Sequence, residues 1–172
     1  MTTSLTRRLL SGVLVVLLMS GVACKQSPSV QAPAQTETAP TAPADVAALR
    51  VKANAGDAGA QNYLGFAYDS GQGVPQDSVQ AVAWYRKAAE QGYDMAQRDL
   101  GYAYEHGQGV PQDYVEAHKW RNLAASRASA ADQKIYAEAR DAVAALMTPA
   151  QLAEAQQRAS AWLAAFEKRG GK

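Results

Sequence analysis

Apolar side chains first recur at helical spacing over 60–68. Ala60, Leu64, Ala67 and Tyr68 fall at i, i+4, i+7 and i+8, which sets them on one face of a helix. A polar, glycine-rich stretch follows. Gly71 suits a left-handed C-cap, Gly73 a tight turn, and Val74 can plug that turn. Pro75 cannot continue the first helix. Asp77 is a good N-cap, and Gln80 three residues on completes a capping-box pattern. A second apolar face then begins, made of Val79, Ala81, Val82, Trp84, Tyr85, Ala88 and Ala89. Gly92 ends this helix, and Asp94 is placed to cap the next. The pattern predicts a helix–loop–helix.

The same pattern returns 36 positions later. Ala96, Leu100, Ala103 and Tyr104 repeat the first face. Gly107, Gly109, Asp113, Val115, Ala117, Trp120, Ala124 and Ala125 repeat the loop and second helix, with Glu116 in the place of Gln80. A period in the thirties marks a solenoid of stacked helix pairs, in which no unit buries its apolar face alone. The predicted fold is therefore all-α, a short α-solenoid of stacked antiparallel helix pairs. Shared positions are those that every unit needs to fold: Gly65, Gly71, Gly73, Asp77, Trp84, and their counterparts Gly101, Gly107, Gly109, Asp113, Trp120. Gly65 and Gly101 lie inside helices, where glycine costs about 1 kcal/mol relative to alanine. Their recurrence predicts close helix packing, against Ala81 and Ala117. Trp84 and Trp120 are expected to be buried between units.

The elements Ala-Gln, Leu-Gly, Tyr, Gly-x-Gly-Val, Asp, Ala, Trp-Tyr, Ala-Ala and Gly in AQNYLGFAYDSGQGVPQDSVQAVAWYRKAAEQG resemble a Sel1-like repeat, a relative of the tetratricopeptide repeat. The units run over about 57–92 and 93–128. Residues 45–56 resemble the second helix of a preceding partial unit, with Gly56 in the place of Gly92. The second copy departs late, with Arg121 for the tyrosine and Ala128 for the closing glycine, so it is expected to run on into a terminal cap. The resemblance implies a surface that presents side chains to another protein.

The ends of the chain are different in kind. Residues 1–23 read as a secretory signal: Arg7 and Arg8, an apolar run from Leu9 to Met19, then the small residues Ser20, Gly21 and Ala23. Cys24 is the only cysteine, so it has no thiol partner within the chain. Its setting resembles the lipobox of bacterial lipoproteins, with Gly21 where leucine is usual. That resemblance implies lipidation at Cys24, and Lys25 after it resembles the outer-membrane sorting pattern. Ordinary cleavage nearby, leaving a free cysteine, is the alternative. Residues 24–44 hold Pro28, Pro33, Pro40 and Pro43 among Ala, Gln, Ser and Thr. This composition predicts a disordered tether that reaches roughly 50–60 Å in extended form. Residues 130–168 read as C-terminal capping helices. Thr148, Pro149 and Gln151 form a helix start. Leu152, Ala155, Ala159, Trp162 and Phe166 share one face of the last helix, whose sequence also resembles the tail that follows Sel1-like repeats in small bacterial proteins.

Charge and chemistry narrow the function. The chain carries formal charge +1. Loss of Arg7 and Arg8 with the signal leaves 15 basic against 16 acidic residues, a formal −1. Nucleic-acid binding has no electrostatic support. The two histidines, His106 and His118, read as surface residues, and no metal or cofactor is expected. No HExxH, GxSxG, P-loop or CxxC is present, so no enzyme is predicted. Some Sel1-like proteins are linked to β-lactam chemistry, but those are cysteine-rich, and the S-x-x-K arrangement is missing here.

The expected partner-binding face is the concave side, lined by the first helix of each unit, where the copies diverge. Asn62 stands against Arg98, Tyr63 against Asp99, and Ser70 against His106. Phe66 with Tyr102 and Asp69 with Glu105 keep their character. The candidate contacts are Asn62, Phe66, Asp69, Arg98, Asp99, Tyr102 and Glu105, suited to a peptide with basic residues. Phe66 and Tyr102 can equally pack between units. The expected whole is a monomeric, periplasm-facing lipoprotein, anchored in the outer membrane through Cys24, that binds another protein or peptide. A structural envelope spacer without a ligand, and a hydrolase of cell-wall or β-lactam substrates, are the alternatives.

Overall fold

The computed structural model describes residues 43–171. The predicted signal, Cys24 and most of the tether lie outside them. Seven helices follow one another: α1 (Pro43–Asn54), α2 (Ala58–Ser70), α3 (Ser78–Glu90), α4 (Asp94–His106), α5 (Tyr114–Arg127), α6 (Gln133–Ala144) and α7 (Pro149–Lys168). There is no strand among the described residues. Each of α1 to α6 packs on its neighbour in the chain, and α7 packs on α5. The fold is an all-α solenoid of stacked helix pairs.

The loop chemistry is carried out twice. Gly71 and Gly107 are left-handed C-caps at φ 72° and 67°, donating to Ala67 O and Ala103 O. Their neighbours Gly73 and Gly109 also take positive φ, which only glycine adopts without strain. Gln76 Nε2 and Gln112 Nε2 each donate to the carbonyl seven residues back, at 2.7 Å. Asp77 accepts from Gln80 N, and Asp113 from Val115 N and Glu116 N. The reciprocal half of a capping box closes at Thr148 and Gln151. It does not close at Asp113, because Glu116 turns instead to Lys119 and Arg158. The start of α4 also differs from expectation: Tyr93 is the N-cap, without a side-chain bond, and Asp94 is the first helical residue.

Helix α1 occupies the place that α3 takes one unit later. Arg50 donates to Tyr68 Oη at 2.8 Å, as Arg86 does to Tyr104 Oη at 2.7 Å. Gln61 Nε2 donates to Ala53 O, as Gln97 Nε2 does to Ala89 O. Gly65 and Gly101 are where helices touch. A Cβ on Gly65 would lie 2.6 Å from the Tyr85 ring and 3.1 Å from Ala81 O. On Gly101 it would lie 2.8 Å from Arg121 Cγ and 3.2 Å from Ala117 O.

The main core joins α3, α4, α5 and α7 through Val82, Tyr85, Leu100, Trp120, Leu123 and Ala159. A smaller cluster joins α1 and α2. Small residues dominate both, which lets helix axes come close. The two repeat tryptophans are not equivalent. Trp120 is 4% exposed and meets Trp162 of α7 edge-to-face at 5.8 Å. Trp84 is only half-buried, against the α1–α2 cluster, with Lys87 Nζ 3.8 Å above its ring. Val79, expected on the apolar face, is 64% exposed.

The C-terminal helices α6 and α7 both pack on α5. Ala155, Ala159 and Phe166 are buried, while Leu152 and Trp162 are half-buried. Phe166 stacks on Trp162 and fills the space beside Gly92. Arg127 lies 4.7 Å above the Phe166 ring and donates from Nε to Gly92 O. Arg158 of α7 bridges to Glu116 of α5 at 2.6 Å. Burial alone would raise the Glu116 carboxyl, but its bonds to Lys119 and Arg158 outweigh this and hold it below the usual range.

Candidate functional site

A cleft of about 160 Å³ opens where α2, α3 and α4 meet. Its wall contains five of the seven predicted contacts: Phe66 and Asp69 from α2, with Arg98, Asp99 and Tyr102 from α4. Phe66 and Tyr102 stand at equivalent repeat positions and are 38% and 45% exposed, so neither is locked between units. Tyr102 carries the His106 ring stacked on it at 4.1 Å.

The floor is Tyr85, 4% exposed. Burial drives its phenol far above the ordinary range, and the nearby charges of Asp99 and Asp69 push the same way. It is therefore a neutral hydroxyl at any physiological pH. Burial likewise raises the Asp99 carboxyl; Arg98 draws it back down and Asp69 adds to the rise. Arg98 Nη2 lies 2.7 Å from Asp99 Oδ1. Its guanidinium also sits 5.7 Å from the centre of the Tyr136 ring of α6. Burial alone would lower the Arg98 pKa, but Asp99 and Tyr136 hold it raised. Arg98 is thus fixed in position by two neighbours, with 44% of its side chain still in solvent.

Two predicted contacts lie elsewhere. Asn62 is 5% exposed, with Oδ1 lacking a hydrogen-bond partner; it is a buried residue and not a surface contact. Glu105 is bound by the Arg121 guanidinium, which is itself buried. The cause lies in the sequence difference between copies. Tyr85 of the first unit is Arg121 in the second, so the acid sixteen residues earlier is ion-paired at Glu105, whereas Asp69 has an uncharged phenol in that place. Acidic character on this face therefore survives at Asp69 and not at Glu105. Sequence reasoning missed Tyr85, Val82 and Gln108 in the cleft wall and Tyr136 behind Arg98. Tyr85 was findable, since it faces Gly65, a glycine shared by both copies, and is one of the positions where the copies differ.

His118 is a further correction. It is 3% exposed, not a surface residue. Burial is the main cause that lowers its pKa, the Arg140 charge adds to it, and Asp141 offsets part of this. His106 is exposed as expected, with Nδ1 3.0 Å from Tyr102 O. No group of three or more His, Cys, Asp or Glu suited to a metal occurs among the described residues.

The family described as Sel1 repeat matches residues 58–93 and 94–129, so the chain carries two Sel1 repeats. No curated protein matches it. It is similar to a crystal structure of a protective antigen present in uropathogenic Escherichia coli strains, which displays an SLR fold. The identity is 34%, the TM-score 0.66, and the match covers 73% of this chain and 28% of that one. A crystal structure of a Sel1 repeat protein from Oxalobacter formigenes is 46% identical, over 50% of this chain and 66% of that one, with a TM-score of 0.49. The chain therefore spans about a quarter of the first of these and two thirds of the second.

Proposed function

We propose that this chain, with its two Sel1 repeats, is a non-catalytic protein-interaction module of the bacterial envelope, held at a membrane through Cys24. Sel1 repeat proteins are generally protein-interaction modules. The observation that carries the reading here is the gathering of Phe66, Asp69, Arg98, Asp99 and Tyr102 around one cleft. Two of these five, Arg98 and Asp99, stand where the first copy has the unlike residues Asn62 and Tyr63, so the framework does not demand them. The half-exposed rings offer apolar contact, and Tyr and Arg commonly dominate interface energetics. Asp69 supplies a negative edge for a basic side chain on the partner. The cleft holds no nucleophile beside a base, which favours binding over turnover.

The partner is captured by crosslinking from intact envelopes, with the full chain as bait. Changing Phe66, Asp69 and Tyr102 to Ala, Asn and Ala should abolish capture and leave thermal unfolding nearly unchanged. The control changes Val51 and Val79, exposed outside the cleft, and should capture normally. Capture that survives the triple change in a folded protein removes the cleft from the interface. The tether is tested separately: Cys24→Ser should release the protein from membranes and end fatty-acid incorporation. Unaltered fractionation would place the anchor elsewhere.

A further inference from the structure

The bond that ties successive units together is missing at the last junction. Arg50 bonds Tyr68, and 36 residues on Arg86 bonds Tyr104. A further 36 residues on, the pair is Asn122 and Arg140. Beneath it, Val46 and Val82 are buried at 2% and 4%, and the corresponding residue is His118, buried at 3%. Three framework positions have thus changed together, from apolar or self-satisfied to polar.

These three residues line a cavity of about 320 Å³ between α5, α6 and α7, with Asp141, Ala144, Leu152 and Gln156 completing the wall. His118 Nδ1 is sealed from solvent and has no hydrogen-bond partner. A buried polar atom left in that state is destabilising, and it stands at a position where the other two units use valine. A rule broken without a compensating bond within the chain marks a site of function. Arg140 gives Nε and Nη2 to a single oxygen of Asp141, at 2.8 and 2.7 Å, and has no other partner among the described residues.

We propose that this junction is a binding site for a small oxyanion, a carboxylate or a phosphate. Arg140 supplies the fixed positive charge and the planar donors that such anions favour. Asn122 and Gln156 supply amide donors, and His118 becomes a second cation when the anion is present. The charged groups acting on His118 are Arg140 and Asp141 of α6. On α7, Arg158 is committed to Glu116 of α5 and to Glu154. Glu105 of α4 is committed to Arg121. A cation would meet Arg140 and find Asp141 already paired, so the lining selects the opposite sign. The site lies at the last of the three junctions and does not depend on the cleft.

The test is a histidine-ring NMR titration of the full chain, whose second histidine, exposed His106, is the internal reference. Inorganic phosphate should raise the His118 midpoint saturably, by about one pH unit or more, equivalent to tenfold tighter proton binding. Chloride at equal ionic strength should not. A short peptide with a free C-terminal carboxylate, compared with its amidated form, separates a chain-end ligand from free phosphate. Arg140→Gln and, independently, exposed Gln156→Ala should abolish or weaken the saturable shift in proteins with unchanged helical circular dichroism. A shift equal in chloride, or one that persists in a folded Arg140→Gln protein, overturns the proposal.

Discussion

Replacing each repeat tryptophan by alanine should give unequal losses of stability, although the repeat pattern treats the two alike. Trp120 is 4% exposed. Truncating a buried tryptophan costs about 3–5 kcal/mol. Loss of its edge-to-face partner Trp162 adds about 0.5–1.5 kcal/mol. Against this, Trp120 Nε1 is buried without an acceptor, and its removal returns about 1 kcal/mol. The net expectation for Trp120→Ala is about 3–5 kcal/mol, a large part of a typical 5–15 kcal/mol domain stability. Trp84 is half-buried and its ring faces the exposed Lys87, so Trp84→Ala should cost about 1.5–2.5 kcal/mol. The assay is urea unfolding followed by far-ultraviolet circular dichroism, which reports every helix. With a slope of about 2 kcal/mol per molar urea, the two midpoints should differ by about 1 M. Tryptophan fluorescence adds a check, since acrylamide should quench Trp84 far more readily than Trp120. Equal midpoint shifts, or a larger loss at Trp84, would refute the claim that α7 decides which tryptophan is core.

Gly65→Ala should destabilise by about 1–3 kcal/mol in chemical denaturation, because the new methyl meets the buried Tyr85 ring and overpacking outweighs the gain in helix propensity. Gly101→Ala should cost less, since its nearest obstacle is the flexible stem of Arg121; a greater loss at Gly101 would contradict this. His118 has a folded pKa below its ordinary value of about 6.5, caused by burial. The unfolded chain therefore binds the proton first. Stability should fall as pH drops below about 6.5, by up to about 1.4 kcal/mol per pH unit, and level off at the folded pKa. Melts between pH 6.5 and 5.5 in buffers free of phosphate and carboxylate should show the fall in the native chain and not in His118→Gln; an identical fall in both would assign it to another group. Thr148→Ala removes the side-chain cap of α7 and should cost about 1 kcal/mol, read as a lower melting midpoint.

The sequence by itself determined the helix pairs, their loops and their stacking. These rest on chemistry within a few residues: left-handed turns at Gly71 and Gly107, aspartate caps at Asp77 and Asp113, and apolar spacing repeated at a fixed period. It also singled out the face on which Phe66, Asp69, Arg98, Asp99 and Tyr102 gather, because internal repetition separates residues that serve the framework from those that are free. Tertiary structure decided what depends on neighbours far along the chain. Trp120 is core and Trp84 half-exposed because α7 covers one and not the other. Asn62 is buried although its counterpart Arg98 is exposed. Glu105 is neutralised because Arg121, sixteen residues on, fills the place that Tyr85 holds in the first unit. His118 is enclosed because α6 and α7 both pack on α5. A repeat specifies its own backbone locally; the burial and charge of each copy are set by whatever stacks upon it.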